Sequence, residues 1–430
     1  MVELLPRFSA ALGVVVLLAV TAACGPGGRG DGRAGADGLT VWLTVDARES
    51  WPGLVESADA RFAERFPGTE VRIQYQQWGS KNQKLDAALA GDDAPDVVEM
   101  GNSEVTNYIV NGAFAPLDPR AFDRSGEWLD ALAAPCRADG RTYCVPYYAG
   151  ARVGIYRTDL LEKAGSDHAP RSYPELIADL DRLKKEFGTA DKRFSALYLP
   201  GRDWYTAMAF VKDAGGELAA ERNGRWHGTL SSPRSVAGLK TWKHLVDTYY
   251  VDDRSKDNAD QPAVAGQGRA GMFYGNTWEA EAATDPRSGG NPALRGRFGT
   301  FVFPGPSGRP LPPFLGGSTL AVPVRSRRQE LAAQWIAVFT DRVSQRRLIA
   351  ADTLPNNTVQ LRDVPADGIN GPAARAAGRG WVTPPAPGWA AVEKTGVLQE
   401  MLQDIALGKQ PVDRAARDAD RRIDAVIQRN

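Results

Sequence analysis

Between Leu39 and Met100 the sequence switches repeatedly between two hydrophobic periods, and this alternation restricts the fold more than any other feature of the chain. Leu39-Thr40-Val41-Trp42-Leu43 reads as a strand. Leu54, Ala58, Phe62 and Phe66 then recur every fourth residue, the spacing of one helix face, until Pro67-Gly68 breaks the pattern. Val71, Ile73 and Tyr75 alternate as a second strand, Leu85, Ala88 and Leu89 mark a second helix, and Asp96-Val97-Val98-Glu99-Met100 supplies a third strand. The order β-α-β-α-β predicts a largely parallel sheet with right-handed crossovers. Ligands of such sheets bind outside the carboxyl ends of the strands. Those ends are Thr44 to Asp46, Gln77-Trp78 and Gly101-Asn102.

The rest of the chain predicts a second body joined to the first by two crossings. Val145 to Tyr156 is expected to begin as an extended loop and end as a strand, with Gly150 and Gly154 permitting unusual backbone angles; it is the first crossing. Ser172-Tyr173-Pro174-Glu175 has the spacing of a capping box and opens a helix carrying Leu176, Leu180, Leu183 and Phe187. Ser232-Pro233 opens another, whose Val236, Leu239, Trp242 and Val246 share a face, so Trp242 is read as core. A strand from Phe298 to Val302 leads into a Pro/Gly loop, Pro304 to Pro310, suited to the second crossing. Leu315 to Val322 follows as a strand, then a helix near Glu330 to Phe339. The segment Pro365 to Gly388 reads as irregular, and two helices close the chain, the last carrying Val412, Ala416, Ala419, Ile423 and Val426. The expected division is lobe I, 39–149 plus 305–340, and lobe II, 150–304 plus 341–430. A chain of 430 residues is long for one core and comfortable for two lobes.

Lys+Arg and Asp+Glu both number 52, so no overall field draws in nucleic acid or an anionic membrane surface. A neutral or locally recognised ligand fits better, and no nucleic-acid partner is expected. His168, His227 and His244 stand apart from any metal-ligand spacing, so neither a metal site nor a cofactor is expected.

At the N-terminus, Leu12 to Val20 is an apolar run too short to span a bilayer, which needs roughly 20 residues, and it follows the single positive charge of Arg7. Residues 1–23 read as a removable signal peptide. Thr21-Ala22-Ala23-Cys24 resembles a bacterial lipobox, with Thr21 where a branched aliphatic is usual, and the resemblance implies that Cys24 is lipidated. Residues 24–38, rich in glycine, read as a flexible linker. The chain is therefore expected outside the cytoplasm, on the outer face of the cell membrane. In an oxidising compartment Cys136 and Cys144, which flank an Asp139-Gly140 turn signal, are expected to form a local disulfide across a hairpin.

Catalytic templates fail in turn: there is no G-x-S-x-G elbow, no nucleotide P-loop and no H-E-x-x-H. Carboxylate pairs such as Glu279 and Glu281, or Asp252 and Asp253, leave a secreted glycan hydrolase as an alternative, although sequence neighbours say nothing of the required geometry. Aromatic residues beside turns are more specific. Trp204-Tyr205 follows Pro200-Gly201-Arg202-Asp203, Trp278-Glu279 follows Tyr274-Gly275-Asn276-Thr277, and Tyr147-Tyr148 lies at the first crossing. Such rings stack on the apolar face of a sugar, while neighbouring carboxylates and amides bind its hydroxyls; local packing is the competing reading for each. Asp46 and Asn102, at strand ends, are further candidate ligand contacts, as are Gly317 and Ser318, where a glycine pair lets a backbone approach closely.

Taken in order, Leu39-Thr40-Val41-Trp42, Ala94 to Asn102, Val153 to Leu161 and Phe314-Leu315-Gly316-Gly317-Ser318 resemble the extracellular solute-binding proteins of ABC sugar importers, the family that includes maltodextrin-binding proteins. More narrowly, Leu199 to Tyr205, Gly215-Gly216-Glu217-Leu218 and Trp389-Ala390-Ala391-Val392-Glu393 resemble the N,N′-diacetylchitobiose-binding lipoproteins of high-GC bacteria. The resemblance implies an α/β, two-lobed periplasmic-binding-protein-like fold with hinged lobes and a ligand cleft between them. It implies an oligosaccharide ligand of the chitobiose or N-acetylglucosamine type, delivery to ABC permease subunits, a monomer, and no catalysis. A surface sugar sensor without a permease is the other alternative.

Overall fold

The computed structural model of the chain describes residues 38–91 and 93–428. The signal peptide, Cys24 and nearly all of the linker lie outside the described residues. The strands are β1 (Gly38–Thr44), β2 (Glu70–Gln76), β3 (Val97–Gly101), β4 (Arg137–Ala138), β5 (Arg141–Thr142), β6 (Cys144–Arg157), β7 (Ser195–Tyr198), β8 (Ala219–Arg222), β9 (Arg225–Gly228), β10 (Ala270–Asn276), β11 (Phe298–Phe301) and β12 (Leu315–Ala321). Hydrogen bonding joins them in the order β2-β1-β3-β12-β6-β10-β7, with β11 laid along β6; β4-β5 and β8-β9 are separate hairpins.

The first half follows its periodicity. β1 runs parallel to β2, with Leu39 opposite Val71, and parallel to β3, with Val41 opposite Val97. The intervening helices are Pro52–Arg65 and Lys81–Ala90. Pro52 opens the former, where its missing N–H leaves nothing unpaired. The helix then buries Leu54, Ala58 and Phe62 against Val41, Leu43, Trp335 and Phe339. Each such side chain contributes roughly 1.5–3 kcal/mol by leaving water.

β6 departs from expectation. It is a strand from its first residue, with no loop at its start. Its first half pairs antiparallel with β12, Leu315 opposite Ala151 and Ala321 opposite Cys144. Its second half pairs with β10, Asn276 opposite Arg152, and with β11, Phe301 opposite Gly154. The glycines serve close approach here: a Cβ at Gly154 would overlap the Phe301 ring. Pro146 has no N–H to give the ladder, and the register of β12 shifts beside it, between Ser318 and Thr319.

Two bodies of apolar packing flank this shared strand. One gathers Leu39, Phe62, Trp335, Phe339 and Leu348 beside β1; the other gathers Leu180, Phe210, Trp242, Met272, Leu402 and Ile423 beside β10. The helix Arg342–Ala350 packs with the first of these through Leu348, while Arg61 donates to Ser344 Oγ at 2.7 Å. Where Pro365 to Gly388 reads as irregular, the structure has a helix at Gly371–Ala377. Pro372 is compatible with a helix's first turn, and the alanines that follow bury against the second body. A further short helix, Trp389–Lys394, precedes the two expected at the C-terminus, Val397–Ala406 and Val412–Ile427.

The β4-β5 hairpin turns through Asp139 (φ 49°) and Gly140 (φ 71°), two left-handed residues that match the twist of a tight hairpin. Cys136 and Cys144 are joined across its base. Gly317 is a stricter requirement, since its φ is +140° and a Cβ would collide with the Tyr148 carbonyl oxygen of β6. Gly317→Ala should therefore lower the unfolding free energy by about 1–3 kcal/mol, the range for enforced backbone strain. Urea denaturation checks this, and an unchanged midpoint would contradict it.

Candidate functional site

The carboxyl ends of β1, β2 and β3 converge on one polar edge. Asp46, just after β1, accepts a hydrogen bond from Trp78 Nε1 at 2.7 Å. That indole is 36% exposed and carries the Lys81 ammonium 4.9 Å above its ring. Lys81 pairs with Glu104, which also accepts from Asn82 Nδ2 at 2.9 Å and from the Gly101 N–H at 3.0 Å. Asn102 turns inward: its Nδ2 donates to the Leu315 carbonyl at 2.8 Å, and the side chain is buried.

Behind this edge lies a wholly buried carboxylate. Glu99 on β3 accepts from the Thr44 N–H at 2.7 Å, from Thr44 Oγ1 at 3.2 Å and from Ser318 Oγ at 2.6 Å. Burial pushes its carboxyl up to about 7 against these three donors, and the charge of Asp46 adds to the rise. Tyr147 and Tyr148 lie within reach of its charge, and burial raises both phenols well above their ordinary range. Trp51 Nε1 donates to Tyr147 Oη, and the Trp51 ring meets Tyr148 edge-on at 5.1 Å.

A second constellation forms around Arg152 on β6. Its guanidinium lies 4.6 Å over the Tyr205 ring and is itself nearly buried. Asn258 presents its amide oxygen to both terminal nitrogens at 3.1 and 3.3 Å. Asp203, which caps the helix Trp204–Asp213 through Thr206, and Glu279 both feel the Arg152 charge, and in each burial outweighs it and raises the carboxyl. Glu279 is held internally, by Gln261 and by the Asn276 N–H at 2.8 Å.

Trp204, which follows the turn at Gly201-Arg202 as expected, is the first residue of that helix and is buried. It stacks behind Tyr205 at 4.1 Å, and Phe314 and Trp381 close the group, with Tyr205 4.7 Å from Phe314 and Phe314 5.0 Å from Trp381. Tyr205 and Phe314 are the half-buried members of this four-ring wall, and Tyr205 lies between Trp204 and the Arg152 guanidinium. Glu393 lies near this wall and accepts from Trp389 Nε1 at 2.9 Å; burial, with some help from the Glu104 charge, pushes its carboxyl up to about 7. Burial raises the Tyr205 phenol, and the charges of Glu393, from the C-terminal region, and of Glu104, from beside β3, add to the rise.

Four of the residues singled out in the sequence, Asp46, Tyr147, Tyr148 and Ser318, therefore act on Glu99, while Asn102 is bound to the β12 backbone at Leu315 and Gly317. Trp204, Tyr205 and Glu279 gather around Arg152. Trp278 stands apart at 63% exposure, at the start of the short helix Trp278–Ala282. Sequence reading did not select Glu104, Arg152 or Trp381; Trp78 was named only as a strand end, and Phe314 and Glu393 only within motifs of the family resemblance. Arg152 is a lone cation within an apolar strand and gave no signal.

Residues 46–346 match the family model described as bacterial extracellular solute-binding protein. The chain belongs to that family. Over 419 residues it is 30% identical to the diacetylchitobiose-binding protein DasA of Streptomyces coelicolor, covering 95% of this chain and 96% of that one. Among solved structures, the GacH receptor of Streptomyces glaucescens superposes with a TM-score of 0.72 at 24% identity, over 91% of this chain and 98% of the other. The sugar-binding protein MalE of Xanthomonas citri gives 0.77 at 19% identity, over 91% and 97%. The fold is thus that of the two-lobed periplasmic binding proteins. This solute-binding protein is not an enzyme, and the hydrolase alternative falls with that assignment. It is an extracytoplasmic protein; among the described residues no helix is long and apolar enough to cross a membrane.

Buried Glu99, half-buried Glu393, and half-buried Asp59 in the helix Pro52–Arg65 give this solute-binding protein a pH signature. Glu99 and Glu393 rise to about 7 and Asp59 to about 6 in the folded state, from ordinary values near 4.5 and 3.8. Between those limits the folded chain holds more protons than the unfolded one. The stability they confer is therefore complete below the unfolded values and is lost as pH rises through the folded ones, at up to about 1.4 kcal/mol per pH unit for each group. Denaturant titrations should show stability falling from about pH 5 to 7.5, and Glu99→Gln should flatten the slope. An identical slope in the variant would exclude Glu99 as a source.

Proposed function

We propose that the chain is the substrate-binding lipoprotein of an ABC importer, which captures an oligosaccharide and hands it to membrane permease subunits. The observation that carries this reading is the four-ring wall of Trp204, Tyr205, Phe314 and Trp381, whose half-buried members are Tyr205 and Phe314 and whose Tyr205 feels the charges of Glu393 and Glu104. An aromatic face matches the C–H face of a sugar ring, and carboxylates accept from its hydroxyls. The ligand is of the chitobiose or N-acetylglucosamine type; identity of 30% over 95% of the chain to a diacetylchitobiose-binding protein supports that class.

In this reading Cys24 carries the lipid after removal of residues 1–23, residues 24–38 are the tether, the Cys136–Cys144 disulfide forms in the oxidising exterior, and the receptor works as a monomer. The two lobes are 39–149 plus 305–340 and 150–304 plus 341–430, and the packing of Leu348 argues for carrying the first lobe on through the helix Arg342–Ala350. Closure about β6 and the segment 303–313 trades exposed polar surface for contacts to the sugar.

Calorimetric titration with N,N′-diacetylchitobiose, cellobiose and maltose tests the reading. Trp278→Ala and Trp204→Ala should each weaken the preferred sugar by about 1–3 kcal/mol, roughly 5- to 150-fold. Trp278 acts as a direct contact and Trp204 through the Tyr205 ring it supports. Unchanged affinity in both variants would remove the aromatic assignment, and no heat with any sugar would remove the carbohydrate class.

A further inference from the structure

A cavity of about 750 Å³ opens between the start of the helix Tyr173–Phe187, strand β11 and the turn from Pro304 to Pro310. None of its lining residues belongs to the aromatic wall or to the groups around Glu99. Arg171, Arg309, Arg375 and His168 line it, and no carboxylate does. In a chain whose charges balance at 52 of each sign, that is a local imbalance.

Arg309 and Arg375 lack acidic partners of their own, whereas Arg171 has Glu175, whose carboxyl is lowered by the Arg171 N–H and further by the charges of His168 and Arg171. Arg309 Nε reaches Ser307 Oγ at 3.4 Å and Arg375 Nη1 the Ala366 carbonyl at 3.0 Å, but neither forms an ion pair among the described residues. The nearby acids are otherwise engaged. Asp213 accepts from the Ser307 N–H at 3.0 Å and Oγ at 2.6 Å, Glu175 from the Arg171 N–H at 2.8 Å, and Asp167 lies 3.6 Å from His168. By contrast Arg157 and Arg269 are paired with Asp159 and Asp252 at 2.8 and 2.7 Å.

The walls are preformed. Pro170, Pro174, Pro304 and Pro310 fix the backbone on both sides, Pro304 bridges to Pro310, and Gly305 is seated against Asp213 so closely that a Cβ would not fit. Such walls limit the backbone entropy lost on binding, and the ordering cost falls on the exposed Arg309 and Arg375 side chains. The volume lies within the range of small-molecule pockets rather than of flat protein contacts.

We propose that this cavity is a second ligand site, taking an organic anion of about disaccharide size whose phosphate or carboxylate is gripped by the guanidinium groups of Arg309 and Arg375. Planar guanidinium forks bind either anion through two parallel hydrogen bonds, and Tyr173 offers an aromatic face to the rest of the ligand. The site shares no residue with the aromatic wall or with the groups around Glu99, although its Pro304 to Pro310 wall lies in the segment about which closure is proposed.

Calorimetry on the mature chain with glucose 1-phosphate and with digalacturonate separates the two sources of negative charge. At least one should bind, more weakly at high salt, and the Arg309→Gln, Arg375→Gln double variant should lose about tenfold or more in affinity. Circular dichroism of that variant should match the parent; if it does not fold, the single variants Arg309→Gln and Arg375→Gln, both at exposed positions, each read part of the same loss. No binding of either anion at millimolar concentration, or equal affinity in the folded variant, overturns the proposal.

Discussion

The pairing of β6 along its whole length is the constraint on which the rest of the structure depends. Its first half is hydrogen-bonded to β12 and its second to β10 and β11, so one run of backbone from Cys144 to Arg157 belongs to both packed bodies. Buried backbone groups must be paired, and this strand satisfies that requirement only by keeping both sets of neighbours. The consequence appears in the small residues. Gly154 admits the Phe301 ring, Gly317 admits the Tyr148 carbonyl, and the register shift at Ser318 falls where Pro146 cannot donate. Larger side chains at these points would separate the ladders that hold the two halves together.

The same strand also distributes the buried charge. Tyr147 and Tyr148 on its first half lie beside Glu99, and Arg152 on its second half lies over Tyr205. Both charged groups have hydrogen-bonding partners, as burial demands: Glu99 has Thr44 and Ser318, Arg152 has Asn258. Their local outcomes differ. Glu99 has no cation among the influences that set its acidity, and burial raises it towards neutrality. Asp203 and Glu279 have Arg152, which restrains their rise without abolishing it.

Elements whose faces repeat regularly were legible in the sequence. Leu54, Ala58 and Phe62 gave one helix, Val236, Leu239 and Trp242 another, and the β-α-β-α-β order gave the parallel strands and the edge where Asp46 and Trp78 meet. β6 was less legible because Val145 to Ile155 is buried on both faces apart from Tyr148 and Gly150, so no alternation marks its start. The helix Gly371–Ala377 was hidden by a proline and glycines whose usual meaning is irregular structure. At the site, residue types were legible and partners were not. Glu279 stood out beside Trp278, but Gln261, which holds its carboxylate, is 18 residues away. Trp204 stood out beside a turn, yet its depth is decided by Phe314 and Trp381, more than a hundred residues further on.

That distribution of depth has a physical logic for a receptor. A stacking surface made of one exposed indole would be mobile, and ordering it on binding would cost conformational entropy. Tyr205 is already held, by Trp204 behind, Phe314 at its edge and Arg152 across a face, so it presents one orientation before any ligand arrives. Arg152 sits on the strand that both halves share, and Phe314 adjoins β12, which is bonded to that strand. The orientation of the aromatic wall is therefore tied to the backbone that links the halves, and any change in their relative position must act on Tyr205 through these two contacts.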